Sequence, residues 1–142
     1  MSVADHEAVI LDLDGTVYLG DKLIPGAGKT VQLLREEVGE VLFLTNKAIA
    51  RRSDYSEKLR RFGIDVERSD VVNSGWVTAQ YVSERFPSAA AFVVGEAPLL
   101  EEFREAGVTT VTEEPGDIVV ASMDRHFDYD TLETALRTLE DG

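Results

Sequence analysis

A chain of 142 residues with 44% hydrophobic side chains can bury the core of one compact domain, or of a small domain plus part of another. Its 27 acidic and 14 basic residues leave a net charge of −13, a surface that repels nucleic acid and anionic membranes, so neither is expected as a partner. Cysteine is absent, which excludes disulfides and thiolate metal sites. No apolar run nears the roughly 18 residues that cross a bilayer, and MSVADHEAV lacks the basic-then-apolar order of a signal peptide, so a cytoplasmic location is expected.

Strand-like and helix-like runs then alternate along the chain. Residues 8–11 form a short continuous apolar run, which suits a strand covered on both faces. After Pro25-Gly26, Val31, Leu34 and Val38 give a helical stripe ending near Gly39. Residues 41–44 read as a second apolar strand. Residues 51–62 form a charged amphipathic helix with Tyr55, Leu59 and Phe62 on one face, stopped by Gly63. A short strand at 71–72 precedes a helix from 76 to 85, whose Trp76 and Tyr81, with Phe86 beyond it, read as core or hinge packing. Phe86-Pro87-Ser88 breaks the pattern. Strands at 91–94, 108–111 and 118–121 follow, with helices at 98–105 and 129–139. Alternation with short connections implies parallel pairing in an α/β fold.

The stretch AVILDLDGTVYLG (8–20) sets two carboxylates, Asp12 and Asp14, at the carboxyl end of the first strand, where open parallel sheets bind ligands. Carboxylates this close raise each other's pKa unless a cation intervenes. A hard divalent ion such as Mg²⁺, held by a few carboxylates plus phosphate oxygens, resolves the repulsion. Alternatively one carboxyl keeps a proton for acid/base work, and both arrangements are compatible. Gly15 permits a tight turn and close approach of an anion, and Thr16 adds a hydroxyl. If the second strand is a parallel neighbour, it delivers Thr45 and Asn46 to the same edge, where a hydroxyl and an amide can bind a phosphoryl oxygen.

Asp12-Leu13-Asp14-Gly15-Thr16 behind an apolar strand, with Leu44-Thr45-Asn46 ending the next, resembles the first two motifs of the haloacid dehalogenase superfamily. The fit is nearest its NagD-like, 4-nitrophenylphosphatase branch, with support from Ile24-Pro25-Gly26-Ala27, Val93-Val94-Gly95-Glu96 and VVASMDRHFDY (119–129). The resemblance implies a partial doubly wound parallel sheet, the Rossmannoid core of that superfamily, over residues 1–78, followed by part of an α/β cap over 79–142. It also implies a Mg²⁺-dependent hydrolase of small phosphomonoesters. Asp12 would be nucleophile and metal ligand. Asp14 would be the general acid/base and lend the metal its backbone carbonyl. Gly15, Thr16, Thr45 and Asn46 would bind substrate.

The family's third-motif lysine and fourth-motif acidic cluster find no counterpart here, and the sequence stops within the part that resembles the cap. Lys47 could substitute only in part for that lysine. The resemblance therefore implies an incomplete phosphatase, or alternatively a non-catalytic module that binds metal or a partner or only dimerises. A half-sheet with an open edge and uncovered apolar surface favours a homo-oligomer. The scarcity of lysine, four against ten arginines, beside the acidic excess favours adaptation to a salt-rich cytoplasm over an ordinary solvated surface.

Other motifs read blandly. Gly26-Ala27-Gly28-Lys29-Thr30 is a helix start rather than a phosphate-binding loop, because position 23 is leucine. His6 and His126 read as surface residues. Asp124 and Arg125 read as a structural ion pair, with a role in substrate choice as the alternative.

Overall fold

The computed structural model describes residues 3–141. In chain order the main elements are β1 (Ala8–Asp12), β2 (Tyr18–Leu19), β3 (Lys22–Leu23), α1 (Ala27–Val38), β4 (Glu40–Thr45), α2 (Arg52–Arg61) and β5 (Val71–Asn73). They are followed by α3 (Ser74–Arg85), β6 (Ala90–Val94), α4 (Ala97–Glu105), β7 (Thr109–Val111), β8 (Ile118–Ala121) and α5 (Tyr129–Asp141). The chain divides into two compact units. One comprises the described residues up to Asn46 together with Arg52–Asn73, the other Lys47–Arg51 with the described residues from Ser74 onward. Among the described residues no helix is long and apolar enough to cross a membrane.

The first unit is built on a three-stranded parallel sheet in the order β1-β4-β5. Val41, Phe43 and Val71 are buried on one face, where α1 packs against β1 and β4 and α2 against β5. Fully burying a side chain such as Phe43 contributes about 2 kcal/mol relative to leaving it exposed. Residues 26–30 do start a helix: α1 begins behind Gly26 and buries Val31. It ends at Gly39, whose φ of 85° lets its N–H return to the Arg35 carbonyl.

The expectation that residues 8–11 form a strand covered on both faces is overturned. Among the described residues β1 pairs only with β4, and burial alternates along it, leaving Ile10 63% exposed. The central strand β4 alternates in the same way, with Leu44 exposed on the face it shares with Ile10, so an apolar run reports a strand but not what covers its two faces. A similar run in β6, the central strand of the second unit, is covered on both faces, with Ala91, Phe92, Val93 and Val94 all buried.

That unit has a parallel sheet in the order β7-β6-β8. Ala79, Val82, Ala91, Val93, Leu99, Phe103 and Val108 form its core, with Ala48 joining from the preceding segment. α3 packs on α4, while α5 lies along β8 and β6. Of the two readings of Tyr81 and Phe86, core or hinge packing, the core one does not hold. Tyr81 is 59% exposed, and the two rings meet edge-on at 6.2 Å on the surface. Trp76 is half-buried. The β2–β3 hairpin was not legible in the sequence, since two-residue strands carry no periodicity.

Candidate active site

β1 ends at Asp12, and Leu13 then buries completely. The amides of Thr16, Val17 and Tyr18 converge on the Leu13 carbonyl at 3.3, 2.9 and 3.2 Å. This turn requires a positive φ at Gly15 (+89°), whose N–H donates to the Tyr18 carbonyl at 2.6 Å. Asp14 is thus carried on a turn rather than on a continued strand, so the two carboxylates flank a buried anchor. Asp12 is exposed and Asp14 half-buried.

Parallel pairing of β1 with β4 sets Asp12 opposite Leu44, so Thr45 ends the neighbouring strand one step further on, in register with Asn73 of β5. Thr45 is only 2% exposed, and Asn73 is buried. Asn46 follows Thr45 into solvent, and Gly15 and Thr16 are exposed on the same turn as Asp14.

Two tyrosines tie these residues together. Tyr18 is buried at the foot of the turn. Burial pushes its phenol up, and the nearby Tyr55, Asp14 and Asp12 push it further. Tyr55, on the buried face of α2, is pushed up chiefly by burial, with Asp54 and Asp14 adding to the rise. A hydrogen bond with the Thr45 side chain works in the opposite direction. Asp12 and Asp14 therefore share Tyr18 as a neighbour, and Asp14 and Thr45 share Tyr55. Lys58 lies 4.2 Å over the Tyr18 ring, donates to the Gly20 carbonyl at 2.7 Å and pairs with Asp21 at 3.3 Å, tying the β2–β3 turn to α2.

Sequence reasoning read Tyr55 only as part of an apolar stripe and gave Tyr18 no role. The available signal was chemical, since a buried tyrosine, unlike phenylalanine, brings a hydroxyl that needs a partner. In the second unit His126 is exposed and Arg125 forms an ion pair, but with Glu96 rather than Asp124. Its Nε and Nη2 reach both Glu96 oxygens at 2.6 Å, and hydrogen bonding to Arg125 holds the Glu96 carboxyl down at about 2. Asp124 instead accepts the backbone N–H of His126 at 2.8 Å. His6 is exposed.

Among the described residues no three His, Asp or Glu side chains form a ready-made metal cluster. The Asp12/Asp14 pair nevertheless suits an ion that takes one or two carboxylates and completes its shell with water and phosphate oxygens. Both charges bear on one buried phenol, so they occupy the same small region.

Residues 9–109 match the model of the haloacid dehalogenase-like hydrolases. The chain belongs to this family. An acid sugar phosphatase of Staphylococcus aureus is 33% identical over 137 residues, covering 96% of this chain and 53% of the relative. The crystal structure of a 4-nitrophenylphosphatase from Thermotoga maritima superposes with a TM-score of 0.90 at 36% identity, over 99% of this chain and 53% of that one. A glycerol phosphate phosphatase from Mycobacterium tuberculosis, in complex with magnesium, superposes with a TM-score of 0.85 at 26% identity, over 99% of this chain and 43% of that one. The family and branch suggested by the two motifs are thus borne out, as is the α/β fold class. The chain spans about half the length of the curated relatives it matches.

Proposed function

We propose that this chain carries the nucleophile half of a Mg²⁺-dependent phosphatase acting on small phosphomonoesters through an aspartyl-phosphate. The observation that carries the reading is the gathering of Asp12, Asp14 and Thr45 around two buried tyrosines at the carboxyl end of a parallel sheet. In this reading the Asp12 carboxylate attacks phosphorus and the ester P–O bond breaks. Asp14 gives its proton to the departing oxygen. Asp14 then takes a proton from the water that attacks the phosphorus of the aspartyl-phosphate, releasing phosphate and regenerating Asp12. Thr45 donates to a phosphoryl oxygen, assisted by Asn46, Gly15 and Thr16. Asp12 and the Asp14 carbonyl would hold Mg²⁺, which would supply positive charge against the phosphoryl oxygens.

Residues 1–78 are read as part of the catalytic core and 79–142 as part of a cap, the kind of element that closes over a substrate and excludes water. The protein is further read as a cytoplasmic, salt-adapted homo-oligomer. The exposed Ile10 and Leu44 on the open face of the first sheet are apolar surface that self-association would cover.

The test is hydrolysis of 4-nitrophenyl phosphate with Mg²⁺ by the chain and by Asp12→Asn. Asp12→Asn is expected to lower turnover by about three orders of magnitude or more, because no other group replaces the nucleophile. Turnover that survives the substitution overturns the assignment. A folded chain with no turnover at all leaves the non-catalytic module.

A further inference from the structure

The last helix of the second unit presents its threonines, not its leucines, to the sheet it covers. Along α5, Thr131 and Thr134 are half-buried and Thr138 is buried. Thr138 Oγ1 donates to the Thr134 carbonyl at 2.9 Å and accepts the Gly116 N–H at 3.2 Å. Leu132, Leu136 and Leu139 share a separate stripe and are left exposed. Among the described residues β8, beneath this helix, pairs only with β6. Its sequence, Ile118-Val119-Val120-Ala121, holds no charge or proline to discourage a further strand. Ile118 and Val120 pack on the core under α3 and α4, and the alternate residues Val119 and Ala121 turn to the side of α5, so α3 and α5 flank the open edge. A groove of about 560 Å³ follows that edge, with Tyr81 and Phe86 on the α3 side and Leu139 on the α5 side.

We infer that this edge and its two walls are where a second copy of the chain docks, β8 pairing antiparallel with β8 of the copy. The inference rests on the homo-oligomer reading above and names its face; it is independent of the phosphatase chemistry. A two-fold axis perpendicular to the sheet joins the two three-stranded sheets into one and brings each wall against its own counterpart, so a single patch serves both copies. The size fits. Val77, Tyr81 and Phe86 on one side and Leu132, Leu136 and Leu139 on the other are 40–68% exposed. Such side chains carry roughly 150–200 Å² each when open to water, so together they offer roughly 500 Å² of apolar surface per copy. A stable interface takes about 800 Å² per partner, about 60% of it apolar. Charge selects the same occupant. Two chains of net charge −13 repel, so they meet best where charge is absent. Asp117 is the one charged residue lining the groove, and its Oδ2 already accepts the Ala90 N–H at 2.7 Å.

Sedimentation velocity of the full chain tests this, with Tyr81→Lys and Leu136→Lys as variants. Both positions are exposed, and lysine lowers the net negative charge, so weaker association cannot come from added repulsion. The wild type is expected at twice the 15.6 kDa of one chain, and to associate more tightly in molar KCl, where the repulsion is screened. Each variant is expected to raise the dissociation constant about tenfold or more. Ile10→Lys, on the open face of the first sheet, is expected to leave it unchanged. A dimer that neither Tyr81→Lys nor Leu136→Lys weakens overturns the inference, and its dispersal by Ile10→Lys moves the homo-oligomer contact to the first sheet. A wild type that stays monomeric up to about 1 mM overturns both readings and leaves the groove to a different polypeptide. Assemblies that grow beyond the dimer overturn the two-fold pairing. Should the variants not fold, hydrogen exchange of the wild type reads the strand directly. The outward-facing amides of β8 should exchange more slowly as the concentration rises, and equal rates in monomer and dimer overturn the β8 pairing.

Discussion

Gly116 offers a sharp test of the second unit's packing. A Cβ added there would lie 2.5 Å from the Ala90 carbonyl oxygen, 2.9 Å from the Phe92 nitrogen and 3.1 Å from Val111 Cγ2. Two of these neighbours are backbone atoms of the central strand β6, so the segment entering β8 must move away. Three hydrogen bonds are anchored at this point. Asp117 N–H donates to the Ala90 carbonyl at 2.7 Å, Ala90 N–H donates to Asp117 Oδ2 at 2.7 Å, and Gly116 N–H donates to Thr138 Oγ1 at 3.2 Å. Losing two or three of them at about 1 kcal/mol each predicts a destabilisation of about 3 kcal/mol for Gly116→Ala. That exceeds the roughly 0.4–1 kcal/mol gained from a stiffer unfolded chain. Gly95→Ala is the control. Its tightest contact, 2.6 Å, is the far end of the Leu99 side chain, which can change rotamer for about 1 kcal/mol. Urea unfolding followed by far-UV circular dichroism measures both. Gly116→Ala is expected to lower the midpoint well below that of Gly95→Ala. Equal destabilisation of the two, or a Gly116→Ala variant within about 0.5 kcal/mol of the wild type, would refute the close-approach argument.

Two further outcomes are expected. Glu96 is held at about 2, below its ordinary 4.5, by Arg125, so the pair favours the folded state above pH 4.5 and that advantage fades as pH falls toward 2. A carboxyl-carbon NMR titration should show the Glu96 midpoint rising toward 4.5 in Arg125→Ala, and an unmoved midpoint would remove Arg125 as the cause. The net charge of −13 predicts a melting temperature that rises from dilute buffer to molar KCl, as the screening length shrinks from about 30 Å at 0.01 M to about 3 Å at 1 M. A melt indifferent to salt would sink the salt-adaptation reading.

How much of this was readable in advance depended on the kind of information each feature needs. The alternation of strands and helices, which implies parallel pairing in general, and the acidic pair beyond the first strand follow from local patterns, whereas the pairing of β1 with β4 was only a condition of the reading until the structure placed them side by side. Apolar runs, glycine stops and the Asp-Leu-Asp-Gly-Thr order each occupy a few consecutive residues. Position within the sheet is not local. Ile10 and Phe92 sit in similar apolar runs, yet Ile10 shares an exposed face with Leu44 of the central strand while both faces of β6 are buried, because burial depends on what packs over each face of the sheet.

The sequence by itself determined the chemistry available: two carboxylates and a threonine, in a motif order shared with one hydrolase family. Only the tertiary structure decided that Thr45 and Tyr55 are neighbours, that Tyr18 feels both aspartates, that Arg125 grips Glu96 rather than Asp124, and that the backbone of β6 crowds Gly116. Each of these is a contact between residues far apart in the chain. Hydrogen bonds and steric contacts act over a few ångströms of space, whatever the number of residues between the partners.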